Sequence, residues 1–167
     1  MLSAIVYNSL TGSCKKYAEL LSAALHIPAL PMGKEHIRED GKIIFIGWAF
    51  AGKIMGYKKA AEKYDVAAAV LVGMGAVSEG SAGFAREKNA IPESVQVFCL
   101  QGAFNLNKLP LPFKLIMKIK CKDIVSRLEA KGALNEQEKA LYTMASTGSG
   151  QPADWNVDEI VRWGQTL

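Results

Sequence analysis

Apolar positions along the chain fall into two kinds of run: short, mostly apolar stretches, and longer ones where they recur every three or four residues. Residues 2–7 (LSAIVY), 42–47 (KIIFIG), 67–73 (AAAVLVG) and 95–100 (VQVFCL) are of the first kind. They read as buried strands, and 67–73 is apolar throughout, as a strand covered on both faces is. Residues 27–30 (IPAL) form a weaker strand whose proline suits a sheet edge. Between these runs the period changes. Residues 11–25 place Cys14, Tyr17, Ala18, Leu21, Ala24 and Leu25 on one helical face, 53–64 do the same with Ile54, Tyr57, Ala61 and Tyr64, and 81–88 reads as a further helix. Strand and helix alternate, which is the sequence form of a doubly wound α/β fold with a five-stranded parallel sheet.

That unit is complete near residue 100, yet about fifty residues separate Gly102 from Asp154, where one short loop before the last helix would suffice. The excess, roughly 103–153, reads as an insertion within one domain spanning 1–167. Pro110 and Pro112 stand where prolines open a helix, and a helical stretch runs from there to about residue 131, where Gly132 stops it. Asn135 and Glu138 have capping-box spacing and predict a second helix through residue 144. Residues 147–150 (TGSG) read as a loop, and Asp154 or Asn156 as the cap of a final helix through residue 163.

Composition adds little until charge is placed along the chain. Half the residues are apolar and 22% are charged, the balance of a packed domain. Twenty Lys and Arg against sixteen Asp and Glu leave a net charge of +4, too small an excess to indicate nucleic acid as a partner. Lys108, Lys114, Lys118, Lys120 and Lys122 all lie in the insertion, interleaved with Leu109, Leu111, Phe113, Leu115, Ile116, Met117 and Ile119. Such a basic amphipathic helix lies on anionic lipid or covers a hydrophobic substrate; the alternative packs its apolar face on the sheet and leaves the lysines in water. The N-terminal stretch lacks the early positive charge of a secretory leader, so a cytoplasmic protein is expected, with peripheral membrane contact through 108–122 as a further expectation. Cys14, Cys99 and Cys121 fit neither a disulfide framework nor metal-ligand spacing, and His26 and His36 fall in a helix end and a loop.

Three loops follow strands, and in an open parallel sheet such loops face one crevice. Ser9, Leu10, Thr11, Gly12, Ser13 and Cys14 join the first strand to the first helix. Hydroxyls, a glycine and the backbone N–H groups of a helix start can converge there on an anion. The loop lacks the Gly-Lys-Ser/Thr ending of a nucleoside-triphosphate site and the spaced glycines of a dinucleotide site, so a phosphate monoester fits it better, unless it is simply a hydroxyl-rich helix cap. The second segment is Trp48, Ala49, Phe50, Ala51, Gly52 and Lys53, whose aromatic residues either wall a flat ring or cover the end of the sheet. Met74, Gly75, Ala76 and Val77 form the third, small enough to leave room for a ligand or to make a plain turn.

The opening IVYNSLTGSCKKYAELL resembles the first strand, phosphate loop and first helix of flavodoxins, with their S/T-x-T-G-x-T pattern, although Cys14 stands in place of the last threonine. GWAFAGKIMGYKKA is similar to the second flavin loop and following helix of small flavodoxin-like proteins, and VFCLQGAFNLNKLPLPFKLIMKI resembles the branch that includes menaquinone-dependent protoporphyrinogen oxidase. The resemblance implies a three-layer sheet of order 2-1-3-4-5. It implies FMN as cofactor, with its phosphate at Ser9 to Cys14 and its ring between Trp48 to Lys53 and Met74 to Val77. It implies an oxidoreductase acting on a quinone or other planar redox substrate. Two alternatives remain: an electron carrier that serves a redox partner protein and has no substrate of its own, and a flavin-free interaction module.

Overall fold

In the computed structural model, which describes residues 1–34, 37, 41–75 and 77–167, five parallel strands form the centre. They are β1 (Leu2–Asn8), β2 (Ala29–Pro31), β3 (Lys42–Phe50), β5 (Asp65–Gly73) and β6 (Gln96–Gln101), in the order β2-β1-β3-β5-β6. Counting the parallel strands alone, this is 2-1-3-4-5, one of the two common doubly wound orders, with its switch point between β1 and β3. The short edge strand β2 pairs with β1 from Ile5↔Ala29 to Tyr7↔Pro31.

Alternation along each strand assigns side chains to two cores, because successive residues point to opposite faces. Ala4, Val6, Ile43, Phe45, Val66 and Ala69 pack beneath α2 (Tyr57–Lys63) and α3 (Ser81–Lys88). Ile5, Ile44, Ile46, Ala68, Val70 and Phe98 pack beneath α1 (Ser13–Leu25) and α6 (Asp158–Gly164). The layers are therefore helix, sheet, helix. Register shifts between Leu2 and Ala4 and between Ile43 and Ile44 change the parity locally, so Leu2 joins the second core although Ala4 and Val6 belong to the first.

Two stretches differ from the sequence expectation. The third parallel strand runs on to Phe50, then turns at Ala51 (φ 50°) and Gly52 (φ 80°) into the antiparallel β4 (Lys53–Ile54). Positive φ at both turn residues is the two-residue hairpin geometry that matches strand twist. The expected helix over 53–64 is shortened to α2 as a result, and Ile54 sits on a strand. Asn89 secures this turn: its Oδ1 accepts from Ile54 N at 2.8 Å, and its Nδ2 donates to Gly52 O at 3.0 Å and Ala85 O at 2.8 Å.

The excursion after β6 consists of β7 (Phe104–Asn105), α4 (Leu111–Lys131), α5 (Glu136–Thr147) and β8 (Ser149–Gly150). The stretch 147–150, expected as loop, supplies β8, whose pairing with β7 closes the excursion at its base. Pro110 precedes α4 and Gly132 ends it, as expected. The capping box is complete: Glu138 N donates to Asn135 Oδ1 at 2.9 Å and Asn135 N to Glu138 Oε2 at 3.0 Å. Here the core is small. Among the described residues Phe104, Cys121, Met144 and Ala145 form it, with Met74, Leu109, Met117, Ile124 and Leu141 packed against them.

Candidate functional site

The first loop owes its shape to Gly12, whose φ of +107° is open to glycine and costly for other residues. A Cβ placed there would meet nothing within 4 Å, so the loop presents an open face. No side chain caps the start of α1, which leaves its first N–H groups available at the positive end of a thirteen-residue helix. Gly12 N donates to Ser9 Oγ at 3.2 Å and so curls the loop.

Two of the residues expected as donors are committed elsewhere. Ser13 is buried; its Oγ accepts from Ala103 N at 3.0 Å and donates to Ala103 O at 3.4 Å. It thereby ties α1 to the segment following β6. Gly102 allows that approach, because a Cβ there would lie 2.8 Å from Val72 Cγ1 and 3.0 Å from Ser13 Cβ. Cys14 is also buried, and burial pushes its thiol up from about 9 to about 12. At neutral pH it is a packed thiol and no nucleophile. Ser9 and Thr11 are both half-buried in the loop, and Ser9 Oγ accepts from Gly12 N.

Beside this loop the end of β3 carries Trp48 and Phe50, with ring centroids 6.1 Å apart. Phe113, from the first turn of α4, closes a three-ring cluster. It meets Trp48 at 5.3 Å and 88° and Phe50 at 5.4 Å and 83°, edge-to-face in both cases. Together these elements enclose a cavity of about 90 Å³ at the C-terminal ends of β1, β3, β5 and β6. Its floor includes Ser9, Leu10, Thr11, Ser13 and Cys14; one wall is Trp48, Ala49 and Phe50; Gly73 and Met74 form another, and Leu109, Phe113 and Met117 the roof. Cys14 is its sole titratable side chain among the described residues. A larger groove of about 1120 Å³ lies at the opposite end of the sheet, beside the strand starts Lys42, Asp65 and Gln96. Strand carboxyl ends, where doubly wound sheets hold ligands, favour the smaller one.

Of the residues singled out from the sequence, Ser9, Leu10, Thr11, Ser13, Cys14, Trp48, Ala49, Phe50 and Met74 meet around this cavity. Gly12 shapes the loop at its floor. Ala51, Gly52, Lys53, Gly75 and Val77 do not line it; Gly52 instead faces Phe84 and Lys88, and Lys53 lines the opposite groove. Ala76 and His36 lie outside the described residues. Sequence reasoning had not assigned Phe113, Leu109, Met117 or Ala103 to the site. Their signal was present only as proline-opened helical periodicity, which says nothing of where a helix docks.

An FMN molecule would meet two different environments here. The phosphate end fits: an open glycine loop, the hydroxyl-bearing Ser9 and Thr11, and an uncapped helix start are the kind of donor set a phosphate monoester needs. The ring end is filled by Phe113, and 90 Å³ is well below the roughly 300–1,000 Å³ of small-molecule sites. A flat ring fits between Trp48 and Met74 only when Phe113 withdraws.

No family model matches the chain, and no curated protein matches it. Among solved structures the chain is similar to a flavodoxin from the domain Archaea, with 16% identity over 60% of this chain and 83% of that one, at a TM-score of 0.43.

Proposed function

We propose that the chain is an FMN-binding redox protein, an oxidoreductase that exchanges electrons with a quinone or another planar substrate at the rim of the sheet. The observation that carries this reading is the juxtaposition of an uncapped, glycine-opened helix start with the Trp48 and Phe50 pair at the β1/β3 switch point. When bound, the flavin supplies the hydride and electron chemistry itself. The chain's part is positioning. Backbone N–H groups at the start of α1, with Ser9 and Thr11, hold the phosphate; Trp48, Phe50 and Met74 wall the ring; Leu109, Phe113 and Met117 exclude water above it.

A second reading, the electron carrier without a substrate of its own, draws on the lining. With Cys14 protonated, no side chain among the described residues lining the cavity offers an acid or base near neutral pH to a substrate that must gain or lose protons.

FMN titration followed by quenching of flavin fluorescence tests both. The wild-type protein is expected to take up one equivalent, and Phe113→Ala to bind about two- to tenfold more tightly because the ring no longer displaces an aromatic cluster worth about 0.5–1.5 kcal/mol beyond its buried area. No uptake by either protein would remove both flavin readings and leave an interaction module. Turnover with a soluble quinone then separates enzyme from carrier.

A further inference from the structure

The helix that roofs the crevice has apolar residues on two sides, and the site uses one of them. Phe113, Met117, Cys121 and Ile124 recur at four- and three-residue spacing and turn inward, toward Trp48 and the small core of the excursion. A second row has no cover. Leu111 is 70% exposed, Leu115 55% and Ile119 71%, spaced four residues apart, and Ile116 beside them is 40% exposed. The row extends about 12 Å along the helix. Exposed aliphatic residues elsewhere, such as Leu20 and Val77, are scattered.

Charge along the same segment is of one sign. Lys114, Lys118 and Lys122 repeat at four-residue intervals, with Lys120 between the last two and Lys108 just ahead of the helix. No Asp or Glu occurs from residue 94 to residue 122. Among the described residues none of these five lysines is paired with a carboxylate, whereas Arg127 and Lys131, further along α4, are.

We infer that the outer face of α4 docks on an anionic lipid surface. Aliphatic side chains flanked by lysines suit the boundary between acyl chains and headgroups, where the apolar atoms enter and the long lysine stems carry their ammonium groups to the phosphates. The helix lies flat on the surface; none of the described helices is long and apolar enough to cross a membrane. A second copy of the chain is the poorer occupant, because a face-to-face pair would bring five lysines against five. An acidic polymer would satisfy the lysines and leave four aliphatic side chains in water. Docking does not rest on the flavin reading. Phe113 is on the same helix, so a docked α4 would hold the crevice within about one helix diameter, 10–12 Å, of the lipid.

Co-sedimentation tests this with the full chain and vesicles of phosphatidylcholine mixed with phosphatidylglycerol, against pure phosphatidylcholine. The protein is expected to pellet with the anionic vesicles alone and to be released as salt rises. Lys114→Gln/Lys118→Gln/Lys122→Gln should lower the partition coefficient roughly a hundredfold, at about fivefold per lysine. Leu115→Ser/Ile119→Ser should lower it at unchanged charge, which separates insertion from simple ion attraction. Four of the five positions are exposed and Lys114 is half-buried, and unchanged circular dichroism and thermal midpoint confirm that the variants fold. Equal binding to neutral vesicles, no binding to either, or an unaffected lysine variant would overturn the proposal. So would size-exclusion chromatography showing a dimer that Leu115→Ser/Ile119→Ser dissociates.

Discussion

The doubly wound sheet and the excursion that follows β6 are built from similar amounts of apolar sequence but use it differently. On the sheet, Ile5, Ile43, Ile44, Phe45 and Ile46 are all fully buried, because each strand is covered by helices on both faces. On α4, Cys121 is the only buried residue of twenty-one, and Leu111, Leu115 and Ile119 stay in water. A strand in a three-layer fold has no outside; a helix in a two-helix excursion has mostly outside. The lesson is that hydrophobicity stabilises one region and is left over for contact in the other.

Phe45→Ala is the sharpest way to test the first half of that contrast. Its ring is wholly buried and lies 6.4 Å from Tyr57, so the variant is expected to lose about 3–5 kcal/mol of unfolding free energy in urea titration. A loss below about 1 kcal/mol would mean the sheet core repacks freely, and the contrast with α4 would fail.

Next in size is the response to alkaline pH. Cys14, buried between α1 and the sheet, has its thiol raised from about 9 to about 12, and burial, followed by the charge of Asp154, raises the Tyr17 hydroxyl from 10 to about 12. In each case the folded state keeps a proton that the unfolded chain releases. The stabilisation is therefore complete below pH 9 and is lost as pH climbs from there toward 12, at about 1.4 kcal/mol per pH unit for Cys14 alone. Cys14→Ala should flatten the stability profile between pH 9 and 10, read from urea midpoints; an unchanged slope would place the titrating group elsewhere.

The smallest effect expected is in the excursion. Asn135→Ala removes the cap of α5 and should cost about 1 kcal/mol. Amide hydrogen exchange is expected to register that loss in α4 and α5 while the slowest amides of β3 and β5 hold their rates. If those strand amides speed up equally, the two regions unfold as one unit and the comparison between them must be redrawn.

What could be read in advance follows from the range over which each interaction acts. Strand and helix types, their alternation, the two caps of the excursion and the glycine-opened first loop are local properties. Each is set by side-chain period or by a residue's own φ preference, and the structure places them as the pattern does, with the fold class and strand order intact. The errors lie where a distant partner decides. Trp48-Ala49-Phe50 looks like a loop in isolation, yet it is strand because β4 and the side chain of Asn89 complete its hairpin. Thr147-Gly148-Ser149-Gly150 looks like a turn, yet part of it pairs with residues more than forty positions earlier.

The candidate site divides along the same line. Its glycine-opened first loop and its aromatic pair were visible as sequence, since both stand at the ends of recognisable strands. Its closure was not. That Phe113 fills the space beside Trp48, that Ser13 turns inward to Ala103, and that Leu115 and Ile119 face away from everything depend on how α4 is set against the sheet and on the rotation of that helix about its own axis. Periodicity can count the apolar residues of a helix; only the packing decides which of them are covered.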